Sequence, residues 1–372
     1  MAEPLKNQFG PDIPARIAAM IGAVHRSFDA RGFVRDVLAG YEPLELMPRG
    51  WKIARALCEY LPADYPKAVG ILVDSLGPKL EGSESHGMAP FVYMPHAFFV
   101  GKYGLGHFEE SMRAQYEITQ RFTAEFSIRP YLIHHQEATL ARLREWTSDG
   151  NEHVRRLVSE GTRPRLPWAP RLPAFQRDPA PVLALLELLK DDLSLYVRRS
   201  VANNLNDFGK DHPDVLAQTA TRWLKGASEE REWLVRHALR SAIKRGETGA
   251  LHALGFGRRA AVDIENVSIA PRRPRIGGDV VIGFDVVSRR KSKQTVLVDF
   301  RIHYVKANGG TRPKVFKLAS IGLDDGERVC LKKRVTLADL TTRKHHPGKH
   351  AVDALINGHA VPLGAFTLRG AQ

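Results

Sequence analysis

The hydrophobic period of this chain changes once, close to Gly257, and that change limits its architecture more than any other feature. Before it, apolar residues recur at helical spacing: Ile17, Met20, Ile21 and Val24; Phe33, Val34, Val37 and Leu38; Ile53, Ala54, Leu57 and Leu61. After it they alternate. Ala261 to Ile269, Val280 to Val286 and Val296 to Tyr304 have a period of two, and further candidate strands run over Thr311 to Leu318, Glu327 to Val335, Gly348 to Ile356 and Ala365 to Leu368. Asn308-Gly309-Gly310, Asp324-Asp325-Gly326 and Asn357-Gly358 mark hairpins or turns between them.

This pattern predicts a multidomain α-then-β protein. About seven short strands in roughly 110 residues fit an immunoglobulin-like β-sandwich. The boundary is expected between Gly255 and Ala261, with a helical domain over 1–257 and the sandwich over 262–372. Residues 84–107 are less regular, with Gly87, Pro90, Pro95 and Gly101 among Phe91, Tyr93, Phe98, Phe99 and Tyr103, and predict an aromatic-rich loop or a broken helix.

A weak repeat appears in the helical part. Val154-Arg155-Arg156-Leu157-Val158 aligns with Val197-Arg198-Arg199-Ser200-Val201 and with Val235-Arg236-His237-Ala238-Leu239, at spacings of 43 and 38 residues. Periods of roughly 40 to 47 residues mark HEAT- or armadillo-like arrays, so the helices are expected to stack as a HEAT-like solenoid with a concave face. Chance similarity among helices rich in Leu and Arg is the alternative.

Charge follows the same division. The formal net charge is +14 and the isoelectric point about 9.8, which predicts attraction to polyanions. Through Gly257 there are 33 Lys and Arg against 31 Asp and Glu; from Arg258 onward there are 22 against 10. Most of the excess therefore lies in the final third. Cys58 and Cys330 fall in different expected domains, which argues against a disulfide framework and fits a reducing compartment. The N-terminal residues lack the apolar core of a secretory signal, and no apolar run reaches the roughly 20 residues that a membrane helix needs. A soluble, cytoplasmic protein with no membrane partner is expected.

The segment Glu160-Gly161-Thr162-Arg163-Pro164-Arg165-Leu166-Pro167-Trp168 concentrates chemistry at the end of a short amphipathic helix that the prolines forbid from continuing. Arginines beside a carboxylate and an indole suit a phosphate backbone and a cationic or stacked base. In the repeat alignment Glu160 is level with Asn203. Arg199, Asn203 and Asp207 fall four residues apart on one stripe, off the apolar seam of Val197, Val201, Leu205 and Phe208. The Asn-rich run is poor helix-forming sequence, although Gly209 offers an ordinary helix stop. Glu125 stands between Phe122 and Phe126 before Pro130, which is expected to end a helix; it is either a partly desolvated acid or a surface acid paired with Arg121 or Arg129. Arg236, Arg240 and Lys244 recur every four residues as a candidate phosphate-binding stripe. His134-His135, His345-His346 and His350 lack the accompanying ligand motifs, so no metal is expected.

Phe122 to Arg129, Arg155 to Trp168, Val197 to Pro213 and Trp233 to Gly246 together resemble the AlkC branch of the HEAT-like-repeat alkylpurine DNA glycosylases, relatives of AlkD. The resemblance implies a solenoid gripping duplex DNA that contains alkylated bases, with an immunoglobulin-like domain that AlkD lacks. It implies monofunctional hydrolysis of the N-glycosidic bond of cationic bases such as 3-methyladenine and 3-methylcytosine, without base flipping. By similarity Glu160 and Asp207 would stabilise an oxocarbenium-like transition state or activate water, and Glu125 would support them electrostatically. Trp168 would lie against the lesion sugar. Arg155, Arg156, Arg163, Arg165, Arg198, Arg199, Asn203, Arg236 and Lys244 would contact DNA. No small-molecule cofactor and a monomeric state are expected. AlkD carries a tryptophan before the acid where this chain has Phe122. A non-catalytic HEAT-repeat scaffold that binds DNA or a protein is the alternative, and it leaves Glu160, Asn203 and Asp207 unexplained.

Overall fold

The computed structural model describes residues 4–82, 87–256, 259–340 and 343–370. Gly257 and Arg258, within the expected domain boundary, lie outside the described residues, as do residues 84–86 of the irregular segment. The chain divides into two compact units, Met1–Asp211 with Glu229–Ala238, and His212–Ser228 with Leu239–Gln372.

Helices come first. They are α1 (Asp12–Val24), α2 (Ala30–Leu38), α3 (Leu46–Tyr60), α4 (Tyr65–Asp74), α5 (Met94–Tyr103) and α6 (Phe108–Thr119). Next are α7 (Ile128–His134), α8 (Gln136–Trp146), α9 (Glu152–Gly161), α10 (Pro173–Arg177), α11 (Ala180–Leu189) and α12 (Leu195–Phe208), then α13 (Pro213–Leu224), α14 (Glu229–Arg245) and α15 (Thr248–Ala253).

In the first unit, the expected periodicity buries one stripe of each helix. Ile13, Ile17, Ala18 and Ile21 of α1 are buried, whereas Val24, at its frayed end, is exposed. The Asp29 carboxylate accepts the Gly32 N–H to cap α2, and Asn151 accepts the His153 N–H at 2.8 Å to cap α9. The irregular aromatic segment contains a 3-10 turn (Ala89–Tyr93) leading into α5, in which Ala97, Phe98, Phe99 and Val100 are all buried. A helix packed on every side has no polar stripe, so its period is hidden in the sequence.

The three aligned segments lie on α9, α12 and α14. In each, the first, fourth and fifth positions are buried: Val154, Leu157 and Val158; Val197, Ser200 and Val201; Val235, Ala238 and Leu239. The repeat is thus a repeat of burial. Pro130 corrects the expectation at Glu125. It lies in the first turn of α7, where a missing N–H costs nothing, so it starts a helix and does not end one. α6 stops at Thr119 and Glu125 sits in the intervening turn. At the end of α12, Gly209 keeps a right-handed φ of −62°, so the helix does not stop through a left-handed glycine.

The second unit holds seven antiparallel strands among the described residues. They are β1 (Val262–Ala270), β2 (Asp279–Ser288), β3 (Gln294–Val305), β4 (Thr311–Leu323), β5 (Arg328–Thr336), β6 (Gly348–Ile356) and β7 (His359–Leu368). Two sheets, ordered β1-β2-β5 and β4-β3-β6-β7, enclose Phe284, Val298, Phe300, Ile302, Val352 and Phe366. Asn357 and Gly358, with φ of 48° and 78°, form the tight β6–β7 turn that their sequence predicts. Asp324-Asp325-Gly326 instead joins β4 to β5, strands of different sheets, so it is a crossover turn and not a ladder hairpin. Within this unit the end of α14 meets the β6–β7 turn, where a Cβ on Gly246 would stand 3.3 Å from the Gly358 carbonyl oxygen. Among the described residues no helix is long and apolar enough to cross a membrane.

Candidate nucleic-acid site

The site in the first unit forms where α9 packs on α12. Ser159 donates to Ser200 at 2.7 Å, and the Asn204 amide donates to the Ser159 carbonyl and the Thr162 hydroxyl at 2.7 and 3.0 Å. All of these groups are buried, so the bonds set the rotation of one helix on the other. That rotation places the Ser200 hydroxyl 2.6 Å from Glu160 Oε2, which it donates to.

Three carboxylates and three cations then interlock. Arg156 Nη2 lies 2.8 Å from Glu125 Oε2 and 3.7 Å from Glu160 Oε1. Arg163 Nη1 lies 2.7 Å from Glu160 Oε1, and its Nε donates to Asp207 Oδ2 at 2.9 Å. Lys210 closes the chain on Asp207 Oδ1 at 2.8 Å. The Thr123 hydroxyl donates to Glu125 Oε2 at 3.0 Å, and the Arg156 guanidinium stacks 5.2 Å from the centre of the Tyr196 ring. Burial pushes the Glu160 carboxyl up, but the charges of Arg156 and Arg163 and the hydrogen bonds from Ser200 and Arg163 outweigh it and hold the group below the usual carboxylate range. Burial likewise disfavours the Arg156 cation, yet Glu125 and Glu160 raise its pKa above the ordinary guanidinium value.

Glu125, Glu160, Arg156, Arg163, Tyr196 and Trp168 line a cleft of about 470 Å³, with Phe91, Met94, Phe122 and Phe126 as its apolar wall. Trp168 is 63% exposed and has a left-handed φ of 63°, strained for a bulky residue. The segment carrying it is tethered by Arg129, which is almost wholly buried. Its guanidinium donates to the carbonyls of Gly161, Arg163 and Pro170, and burial draws its pKa down to about 10.

The structure thus brings together Glu125, Glu160, Asp207, Arg156, Arg163 and Trp168. Asp207 stands behind Arg163 and is not among the described residues lining the cleft. Glu125 pairs with Arg156; Arg121 instead pairs with Glu117, and Arg129 holds carbonyls. Several other expected DNA contacts are engaged elsewhere. Arg155 forms a two-pronged pair with Asp192 at 2.6 and 3.0 Å, Arg165 does the same with Asp211, and Arg198 donates to the Asp192 and Leu193 carbonyls. Arg199, Arg236 and Lys244 are exposed, and Asn203 is half-buried. Arg236 lies 3.8 Å from Glu232. Among the described residues no cluster of three metal-ligating side chains occurs.

Tyr196, Thr123, Ser200 and Arg129 complete the site and were not legible as such. Ser200 carried the one available signal, a hydroxyl at a repeat position that is Leu157 and Ala238 in the other two helices.

A helical-repeat unit with a carboxylate–arginine cleft, followed in sequence by an immunoglobulin-like sandwich, defines the class of protein. A family model described as the C-terminal Ig-like domain of uncharacterised protein YhaZ matches residues 263–370. Uncharacterized protein YhaZ of Bacillus subtilis is 36% identical over 355 residues, which cover 95% of this chain and 96% of that protein. The alkylpurine DNA glycosylase AlkC of Pseudomonas fluorescens, solved bound to DNA containing an abasic site analog, matches with a TM-score of 0.91 and 38% identity over 99% of this chain and all of that one. The chain belongs to the AlkC family.

Proposed function

We propose that this protein is a monofunctional DNA glycosylase that hydrolyses the N-glycosidic bond of cationic alkylated bases, 3-methyladenine and 3-methylcytosine, in duplex DNA. One observation carries the reading: Glu125 and Glu160 line a cleft under an exposed tryptophan, with Asp207 adding a third negative charge through Arg163. The similarity to an AlkC solved on abasic DNA supports it.

An alkylated cationic base is a good leaving group, because the electron pair of the breaking bond neutralises its charge. Positive charge builds at the deoxyribose C1′ instead, and carboxylates fixed in the cleft stabilise it. Water then adds its oxygen to C1′ and gives its proton to a carboxylate or solvent. Glu125 Oε2 is held by Thr123 and Arg156, which fixes the carboxylate at the cleft for this task. The exposed Trp168 indole packs against the lesion sugar, and the base leaves without being flipped into the protein. Pairing with Arg156, Arg163 and Lys210 offsets the repulsion that bare carboxylates would exert on DNA phosphates.

The test is to incubate the protein with methylated duplex DNA and measure free methylated base by chromatography. Release of 3-methyladenine or 3-methylcytosine is expected. Tight DNA binding with no release would leave a non-catalytic scaffold as the better reading.

A further inference from the structure

The immunoglobulin-like unit contains a second concave site with no carboxylate among its lining residues. A groove of about 430 Å³ lies between the β3–β4 hairpin and the segment from Arg343 toward β6, lined chiefly by Tyr304, Lys306, Arg312, Lys314, Arg343 and Lys344. Strand register explains part of the cluster, since Tyr304 pairs directly with Arg312 and Lys314 follows two residues along the same edge strand. Among the described residues none of the five cations forms an ion pair. Burial lowers the Lys314 pKa, and the like charges of Arg343 and Lys244 lower it further. Such a cluster works against its own folding unless an anion relieves the repulsion.

A second observation is independent of charge. Tyr304 is 6% exposed, and among the described residues its hydroxyl makes no hydrogen bond of good geometry, although the Arg343 guanidinium lies close to it. Edge-to-face contacts with His345 at 5.2 Å and His350 at 5.6 Å hold the ring, and the Arg343 guanidinium lies over it at 5.0 Å. A buried hydroxyl whose proton finds no acceptor among the described residues, at the wall of a cationic groove, suits an acceptor oxygen supplied from outside. The volume suits one compact group, and guanidinium and ammonium donors together suit phosphate.

We propose that this groove is a phosphate-binding site, in which Arg312, Lys314 and Arg343 neutralise the phosphate oxygens and the Tyr304 hydroxyl donates to one of them. The phosphate comes either from a small phosphorylated compound or from a nucleic-acid chain. The proposal does not depend on base excision, and excision is not its readout.

The experiment is calorimetric titration of the full chain at low ionic strength, with inorganic pyrophosphate and separately with a short undamaged DNA duplex. Three variants are compared: Lys314→Gln with Arg343→Gln, Tyr304→Phe, and a control that removes equal charge from the exposed β2–β3 turn, Lys291→Gln with Lys293→Gln. The groove pair is expected to weaken pyrophosphate binding at least tenfold, Tyr304→Phe about threefold, and the control less than twofold. The groove pair should melt at or above the wild-type temperature because repulsion has been removed, which separates lost binding from lost fold. If only duplex binding shows this discrimination, the phosphate belongs to DNA. If neither ligand distinguishes the groove pair from the control, the site does not exist.

Discussion

Arg163 donates its Nε to Asp207 at 2.9 Å, across 44 residues of sequence, while its Nη1 holds Glu160. Asp207 is 1% exposed and Glu160 is 6% exposed, so this guanidinium neutralises two carboxylates that are almost wholly buried. Replacing it by alanine leaves Asp207 to Lys210, and Glu160 to Ser200 and the more distant Arg156. Arg163→Ala is expected to cost roughly 3 kcal/mol at neutral pH, the low end of the range for breaking a buried pair, because each acid keeps another partner. Arg163→Lys should recover part of that loss, because one ammonium cannot span both acids. Urea denaturation of the two variants provides the measurement.

The carboxylates themselves should separate chemistry from binding. Glu125→Gln, Glu160→Gln and Asp207→Asn keep shape while removing charge. Each is expected to slow release of 3-methyladenine by about 10²-fold or more, the scale for removing one electrostatic contributor at a transition state. Affinity for undamaged duplex should stay level or rise. Full excision by any one of them in single-turnover assays would remove that residue from the catalytic set.

Ser200 acts on Glu160 through one hydrogen bond of 2.6 Å. Ser200→Ala should cost roughly 1.5–3 kcal/mol, as for a hydrogen bond to a charged group. The cost depends on pH with a definite sign. A carboxyl whose folded pKa is lowered contributes stability that is present above the unfolded value, about 4.3, and is lost as pH falls through the folded one. The gap between wild type and Ser200→Ala should therefore be widest near neutrality and narrow in acid. A gap that stayed constant across the titration would mean that the hydroxyl does not serve the charged form.

His96 of α5 is fully buried, neither ring nitrogen has a hydrogen-bond partner among the described residues, and burial pulls its pKa down to about 4. The unfolded chain takes up a proton near pH 6.5 that the folded chain refuses. Stability is therefore intact above pH 6.5 and falls as pH drops toward 4, by about 3 kcal/mol in all. His96→Leu should remove this acid sensitivity and also the desolvated ring nitrogens. Thermal unfolding at pH 7.5 and pH 4.5 checks it, with the difference between the two expected to shrink in the variant.

Trp168 combines exposure with a strained backbone. Trp168→Gly should leave the protein as stable as wild type or stabilise it by up to about 2 kcal/mol, since glycine adopts a positive φ freely. Trp168→Ala should keep the strain. Both should lose excision alike if the indole packs against the sugar, so paired melting and base-release assays distinguish the two contributions.

Much of the fold was legible because its signals are local. β6 occupies Gly348–Ile356 as the alternation indicates, and the Asn357-Gly358 turn follows from two residues that tolerate positive φ. β7 was legible only over its last part. It starts at His359, but Pro362, Gly364 and the register shift near Val352 interrupt the alternation. α5 was hidden for the opposite reason, since burial on all sides removes the polar face that reveals a period.

The site divides along the same line. Asp207 stood out in an Asn-rich run that helix propensity did not explain, Glu160 through its alignment with Asn203, and Trp168 as an indole after two prolines. Their partners did not stand out. Arg155 and Arg156 are adjacent and chemically identical, yet one holds Asp192 and the other spans Glu125 and Glu160. Neighbouring positions on a helix point about 100° apart, and only the packing of α9 between its neighbours decides what each one meets.

By itself, then, the sequence determined the order of the helical and sandwich parts and marked a few acids and an indole as candidates. Those properties depend on periods of a few residues and on composition. Tertiary structure alone decided that Arg163 serves two buried carboxylates, that Arg155 and Arg165 are already paired with aspartates, and that five cations around Tyr304 share a groove without an acid. Ion pairs and grooves join residues that are remote in the chain, and electrostatic energy depends on distance and burial, which no local pattern encodes.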